Sequence, residues 1–185
     1  MHEILFHGLA DHFLSMGETL LKMETGVGLL IGVGISMSAS HLFSLFANRL
    51  QPIQIAAHMV IDALGLSLAF LVGILLHCVM LTLLESRELQ PISYANQMGI
   101  ALWPGLFYVL VGAPYISDLI AVVLLGWIHL NTLVLLQARY GIPLEKGLMV
   151  ATPGFIVALI LIAFLFAQRW RSSYIQLSRE ISIIT

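Results

Sequence analysis

The sequence predicts an all-α, polytopic membrane protein with five transmembrane helices and an amphipathic N-terminal helix. Of its 185 residues, 59% are hydrophobic and only 10% are charged, whereas soluble domains carry about 25% charged residues. The mean hydropathy is +0.99. Short polar links separate apolar runs of about 20 residues, which is the length that crosses a bilayer core of roughly 30 Å.

Charge and cysteine content exclude several classes of protein. The net charge of −2 provides no basic field for a nucleic acid. The single cysteine, Cys78, lies in an apolar run, so we interpret it as a buried hydrophobe and expect no disulfide framework. The first 25 residues lack a basic start followed by an apolar run. We therefore expect a retained transmembrane helix, rather than a cleaved signal peptide, to direct insertion.

Residues 1–25 form the predicted N-terminal segment. Within it, residues 2–22 carry apolar side chains at helical spacing, while Asp11 and Glu18 fall toward the other side. A centrally placed Asp costs about 2.5–3.5 kcal/mol on the insertion scale. We expect this helix to lie in the membrane interface and not to cross the bilayer.

The transmembrane domain is predicted over residues 26–168, and Arg169-Trp170-Arg171 should end it at the headgroups, leaving a short tail at 169–185. The five predicted spans are 26–48, 61–84, 95–113, 117–137 and 147–168. With five spans, each face of the membrane receives four Lys or Arg residues, so the positive-inside rule does not orient the chain. In the first span, Gly28 and Gly32 predict a close approach by another helix.

The third span contains Trp103-Pro104-Gly105, a predicted helix break between Leu102 and Leu106. Proline cannot donate a hydrogen bond to the carbonyl one turn back, here that of Ile100. In hydrocarbon a freed carbonyl costs several kcal/mol unless another group satisfies it. By depth, the candidate partners are His77, Asn131 and Thr132. We also expect the break to let Trp103 pack on a neighbouring helix.

Polar residues within the apolar runs are functional candidates, because ionisable groups are costly inside a bilayer. They are His41, His58, Asp62, His77, His129 and Asn131. His58 and Asp62 share a helix face and predict either a proton or cation path or an interfacial polar pair. Asp62 and Asp118 each open a predicted span on the same face of the membrane, where they predict either a shallow acidic site or carboxylates that cap the helix N-termini.

His77 and His129 lie on two parallel predicted spans, offset by about 6 Å in depth. They suit a haem or chlorin held between helices, or else hydrogen bonds to neighbouring helices.

A set of aromatic, proline and link residues in the second half of the chain forms a recognisable pattern: Tyr94, Leu102-Trp103-Pro104, Trp127, Gly141-Ile142-Pro143-Leu144-Glu145-Lys146-Gly147 and Thr152-Pro153. This pattern resembles the Yip family of Ypt/Rab-interacting membrane proteins, in its bacterial form, and the resemblance covers roughly residues 10–168. It implies five helices, an N-terminus in the cytosol and a role without known catalysis. The acidic aromatic loop of eukaryotic members is missing, so no Rab binding is implied.

Three functional hypotheses follow. The first is a non-enzymatic membrane protein of Yip type that serves as an accessory or assembly subunit or organises the membrane. It fits the lack of nucleophile motifs, paired carboxylates and metal-ligand clusters in the sequence. Its expected partners are the lipid bilayer, other integral membrane proteins or a second copy, in a cell inner membrane or an internal membrane.

The second hypothesis is a redox or photosynthetic subunit binding haem or chlorin through His77 and His129. The third is a transport or channel subunit using His58, Asp62 and the break at Trp103-Pro104-Gly105.

Overall fold

The structure is a computed structural model that describes residues 25–47, 51–86, 88–112 and 116–184, without the side chains of 43, 44, 47 and 168–184. These described residues are helical apart from short links, and none of them forms a strand. The all-α prediction is therefore confirmed for this part of the chain. The amphipathic helix predicted over 2–22 lies outside the described residues.

Six α-helices and one 3-10 helix make up the described chain. They are α1 (Gly26–Ala39), α2 (Leu42–Ala47), α3 (Pro52–Glu85), α4 (Pro91–Gly99), the 3-10 helix (Ile100–Gly112), α5 (Ser117–Tyr140) and α6 (Leu144–Ile184). Three of them, namely α3, α5 and the Leu144–Ala167 part of α6, are long and apolar enough to cross a membrane. The first and third predicted spans are thus not single long α-helices.

The first predicted span is divided by a turn. Helix α1 ends at Ala39, Ser40 and His41 form the turn, and α2 begins at Leu42. The Ser40 hydroxyl donates to the carbonyl of Met37, over 2.6 Å. Serine side chains that bond to the local backbone compete with the helical pattern. His41 therefore lies in a turn, whereas the sequence predicted that it lies within a continuous helix.

Helix α3 begins at Pro52 and not at residue 61. Gln51 caps it in a reciprocal pair with Gln54, whose side chain accepts the Gln51 N–H over 3.0 Å, and proline is favoured at the first helical position. His58 and Asp62 consequently lie inside the helix. The expectation that Asp62 caps a helix N-terminus is wrong, whereas Asp118 does lie in the first turn of α5.

Helix α6 is longer than predicted at both ends. Gly141, with φ of 65°, ends α5 in the left-handed region that glycine favours, and α6 starts at Leu144. It then continues through Arg169 to Ile184 over 41 residues, about 60 Å at 1.5 Å per residue. The helix therefore continues past the predicted end of the fifth span, whereas its part that is apolar enough to cross a membrane is Leu144–Ala167.

Close helix packing occurs at glycines other than the predicted pair. A Cβ on Gly26 would collide with the backbone of Asn96, and one on Gly34 would collide with the backbone of Ala63. A Cβ on Gly28, by contrast, would have open space around it, and one on Gly32 would meet only a side-chain atom of Leu106, at 3.0 Å. The close approach predicted at Gly28 is therefore wrong, whereas at Gly32 the Leu106 side chain of the 3-10 helix does approach closely.

One end of the bundle, which we call the Glu85 end, gathers Gly26, Glu85, Gln97, Tyr140 and Lys146. The Lys146 ammonium lies 2.9 Å from the Glu85 carboxylate. The Tyr140 hydroxyl donates to the Gln97 side chain over 2.8 Å. The side-chain oxygen of Asn96 accepts the N–H of Val27 over 3.1 Å, at the start of α1. One level of the bundle therefore contains five helix ends: the start of α1, the end of α3, the start of α4, the end of α5 and the start of α6.

The opposite end, the Ser40 end, gathers Ser40, Met59, Gly112 and Phe166. The Ser38 hydroxyl donates to the Met59 carbonyl over 3.0 Å, and the His41 and Phe166 rings lie 4.7 Å apart. An added Cβ on Gly112 would lie 3.0 Å from the Ser40 carbonyl oxygen. Successive long segments therefore run in alternate directions between the two ends.

Candidate functional site

The third predicted span changes helix type inside its length. The α-helix stops at Gly99, and the 13 residues from Ile100 to Gly112 form a 3-10 helix that contains Pro104. Such runs rarely exceed three or four residues. The departure from α-helix begins upstream of the predicted interval and is a change of helix type, not a local bend. At about 1.5 and 2.0 Å per residue, α4 and the 3-10 helix together extend about 40 Å.

Pro104 frees a different carbonyl in this geometry. The N–H of a 3-10 residue bonds to the carbonyl three residues back, so the missing Pro104 N–H leaves the carbonyl of Ala101, and not that of Ile100. The Asn131 side chain of α5 donates to the Ala101 oxygen over 3.4 Å. Of the other expected partners, Thr132 donates to Ile128 within its own helix, over 3.0 Å.

A serine of α1 is inserted into the same 3-10 helix. The Ser36 hydroxyl donates to the Leu106 carbonyl over 2.7 Å and accepts the Val109 N–H over 3.0 Å. Those two backbone groups are three residues apart, so a 3-10 turn would otherwise join them directly. We call this arrangement the Ser36 bridge. Unsatisfied backbone groups are costly in hydrocarbon, so the hydroxyl stabilises this segment.

Small residues allow α1 and α5 to approach closely enough for these bonds. An added Cβ on Gly105 would lie 2.6 Å from Cγ1 of Val33. Trp103 packs edge-on against Trp127 of α5, with ring centroids 5.0 Å apart and an interplanar angle of 76°. The expected contact of Trp103 with a neighbouring helix is thus present.

His77 lies at the crossing of α3 and α6. Its side chain is 5% exposed, and neither ring nitrogen has a hydrogen bond of good geometry, although the Ala151 backbone lies close to the ring. A Cβ on Gly154 would lie 2.5 Å from its Nε2 atom and would also meet the Gly73 carbonyl. The ring therefore packs directly on the α6 backbone at Gly154.

His129 contacts a different face of α6. Its ring stacks on Phe155, with centroids 4.6 Å apart, and its Nε2 lies 3.5 Å from the Thr152 hydroxyl. The two histidines thus contact neighbouring residues of α6 from two sides. A haem iron bound to Nε2 of His77 would, however, have to displace Gly154 and separate α3 from α6. The contact with Thr152 fits the other interpretation, a hydrogen bond to a neighbouring helix.

The residues proposed for transport lie on different segments. His58 is exposed and Asp62 is half-buried on the first part of α3, close to Met59, which contacts α1 at the Ser40 end. In the 3-10 helix, Trp103 packs on Trp127 of α5, and Gly105 lies close to Val33 of α1. Both segments therefore pack against α1.

Sequence reasoning missed Ser36, Asn96 and the Gly73–Gly154 contact. Ser36 stood out only as one of several small residues in an apolar run. Its importance depends on Leu106 and Val109, which are 70 and 73 residues away in the chain.

No protein-family model matches this chain, and no curated protein or solved structure shows significant similarity to it.

Proposed function

We propose that the chain is a non-enzymatic integral membrane protein of Yip type with five membrane crossings, acting as an accessory or assembly subunit or a membrane-organising factor. The observation that carries this proposal is that the polar side chains of the interior bond mainly to the protein's own backbone. The described side chains that hydrogen-bond within the bundle interior do so mainly to main-chain atoms of helices, as Ser36, Ser67 and Asn131 illustrate. These groups build the scaffold.

The contact between the end of α3 and the start of α6 supports the arrangement with five crossings. Glu85 at the end of α3 is paired with Lys146 at the start of α6. If only α3, α5 and α6 crossed the membrane, the segment from Pro91 to Gly112 would stay on one side, and these two residues would lie on opposite faces. Their contact therefore favours a crossing by this segment, whose length of about 40 Å is sufficient.

The outer surface of the bundle is suited to lipid or to another transmembrane helix. On α5 the exposed large side chains recur at helical spacing: Leu119, Val122, Val123, Leu130 and Val134. On α3 they include Ile53, Val60, Ile61, Leu64, Leu68, Val79, Leu83 and Leu84. Such aliphatic faces offer contact area without hydrogen bonds, which is the chemistry of packing in a membrane. The functional surface of an accessory subunit would lie on these faces.

The test is crosslinking in the native membrane before solubilisation. A photoreactive amino acid at Leu130 on α5 and, separately, at Val79 on α3 reports what lies against each face. We expect at least one position to yield a defined adduct with an integral membrane protein or with a second copy, at reproducible mass. Replacing buried Leu81 in the same way gives the control, which should crosslink within the chain. Lipid adducts alone, together with a monomeric mass in mild detergent, would contradict an accessory or assembly role.

A further inference from the structure

The third span is held as a 3-10 helix by three separate residues. In an α-helix the Pro104 ring would clash with the Ile100 carbonyl, to which it also could not donate a hydrogen bond. Asn131 instead satisfies Ala101, the carbonyl that Pro104 leaves free in a 3-10 helix. The Ser36 bridge occupies the next turn, between Leu106 and Val109. Each of these contributions favours the 3-10 form over the α form.

The α-helical alternative requires none of the Ser36 bonds. In an α-helix the Val109 N–H would donate to Gly105, and the Leu106 carbonyl would accept from Leu110. The backbone would then satisfy both groups itself, and the hydroxyl of Ser36 would be released. In the 3-10 form the Val109 N–H could also bond directly to the Leu106 carbonyl, so the Ser36 bridge adds one hydrogen bond that the α form does not have. Each form leaves one carbonyl without its donor at Pro104.

We propose that the segment Ile100–Gly112 is a two-state element that converts between 3-10 and α-helix, with the Ser36 bridge as its latch. A mid-helix 3-10 stretch often marks a hinge, and this one is unusually long.

The conversion would move a large part of the surface. The α form rises about 0.5 Å less per residue, so 13 residues would shorten by about 6.5 Å. It also turns about 20° less per residue, or about 260° in all. The exposed side chains Leu106, Phe107 and Leu110 would be carried to a different side of the segment. A partner that binds this face in one state would shift the equilibrium toward that state.

The experiment measures helix period directly in the full chain. Uniformly ¹⁵N-labelled protein in oriented bilayers gives ¹⁵N–¹H dipolar couplings that oscillate along a helix with its residues per turn. We expect a period of about 3.0 residues over Ile100–Gly112 in the unchanged chain and about 3.6 residues in Ser36→Ala. The matched control is Ser38→Ala, which removes a hydroxyl of the same helix that donates to Met59 of α3. This control should keep the shorter period.

A second variant, Pro104→Ala, favours the α form by a change within the segment itself. It keeps the proposal testable if Ser36→Ala does not fold. Pro104→Ala removes the ring that would clash with the Ile100 carbonyl in an α-helix, and its N–H can then complete the α ladder to Ile100. We expect its period to lengthen to about 3.6 residues as well. A period that stays near 3.0 in every variant that folds would overturn the two-state proposal. Lengthening in Ser38→Ala as well would overturn the role of the Ser36 bridge as the latch.

Discussion

The glycine contact between α3 and α6 leaves no space for an added carbon atom at Gly154. A Cβ at Gly154 would lie 2.5 Å from Nε2 of His77, whereas carbon atoms pack best at about 3.5–4.0 Å. The ring or the helix must shift by about 1 Å to accommodate it. Overpacking of this kind costs about 1–3 kcal/mol, so Gly154→Ala should lower the free energy of unfolding.

The control for this change is Gly126→Ala on α5. A Cβ at Gly126 meets nothing within 4 Å, and alanine favours a helix over glycine by up to about 1 kcal/mol. The same helix term applies at Gly154, so the difference between the two variants isolates the packing cost. At about 2–4 °C per kcal/mol for a chain of this size, the Tm values should differ by about 2–12 °C.

Thermal unfolding in lipid nanodiscs, followed by circular dichroism, measures these Tm values. A double-mutant cycle with His77→Ala then identifies the steric partner. Removing the ring should recover part of the Gly154→Ala loss, with a coupling of at least about 0.5 kcal/mol. If Gly154→Ala were as stable as Gly126→Ala, the tight crossing of α3 and α6 would be refuted.

Three further predictions address the interior bonds, the Glu85 end and the histidines. Asn131→Leu should destabilise the protein by about 1–3 kcal/mol because the Ala101 carbonyl is left unsatisfied, whereas Thr132→Val should cost less, since Thr132 bonds only within its own helix; equal losses in thermal unfolding would argue against the Asn131 contact. Lys146→Ala should change stability by at most about 1 kcal/mol, because the lysine side chain is 58% exposed, and a larger loss in the same measurement would contradict a surface ion pair. The protein purified from its native membrane should lack a haem or chlorin absorbance band, since His77 packs on the α6 backbone; a band that disappears in His77→Ala would contradict this and favour the cofactor hypothesis.

The helices could be predicted because apolar runs of membrane length are visible in the sequence. Their ends were harder to predict, because the same residue type can either begin or interrupt a helix. Pro52 looks like part of a link, but proline at the first helical position starts a helix. Ser40 adds nothing to the apolar pattern, yet its hydroxyl bonds to Met37 at the turn that ends α1. Arg169 marks a boundary of polarity, which does not oblige a helix to stop.

The site was only partly predictable because it is made by tertiary contacts. Pro104 and Asn131 could be paired by depth, but the carbonyl they share depends on a helix type that the sequence does not specify. The glycines of α1 show the same limit. Gly26 and Gly34 pack closely while Gly28 does not, and two residues rotate a helix by about 200°. Spacing identifies a face that could pack, but only the neighbouring helices determine which face does.

The five-crossing arrangement is tested most directly by labelling single cysteines from each side of a sealed membrane. In a chain with Cys78→Ala, single cysteines at Glu88, Ile116 and Glu145, all exposed, report the positions of three links. Five crossings predict that a membrane-impermeant maleimide reaches Glu88→Cys and Glu145→Cys from the same side, and Ile116→Cys from the other. Glu88→Cys and Ile116→Cys labelled from one side, with Glu145→Cys opposite, would mean that Pro91–Gly112 does not cross and would contradict the account.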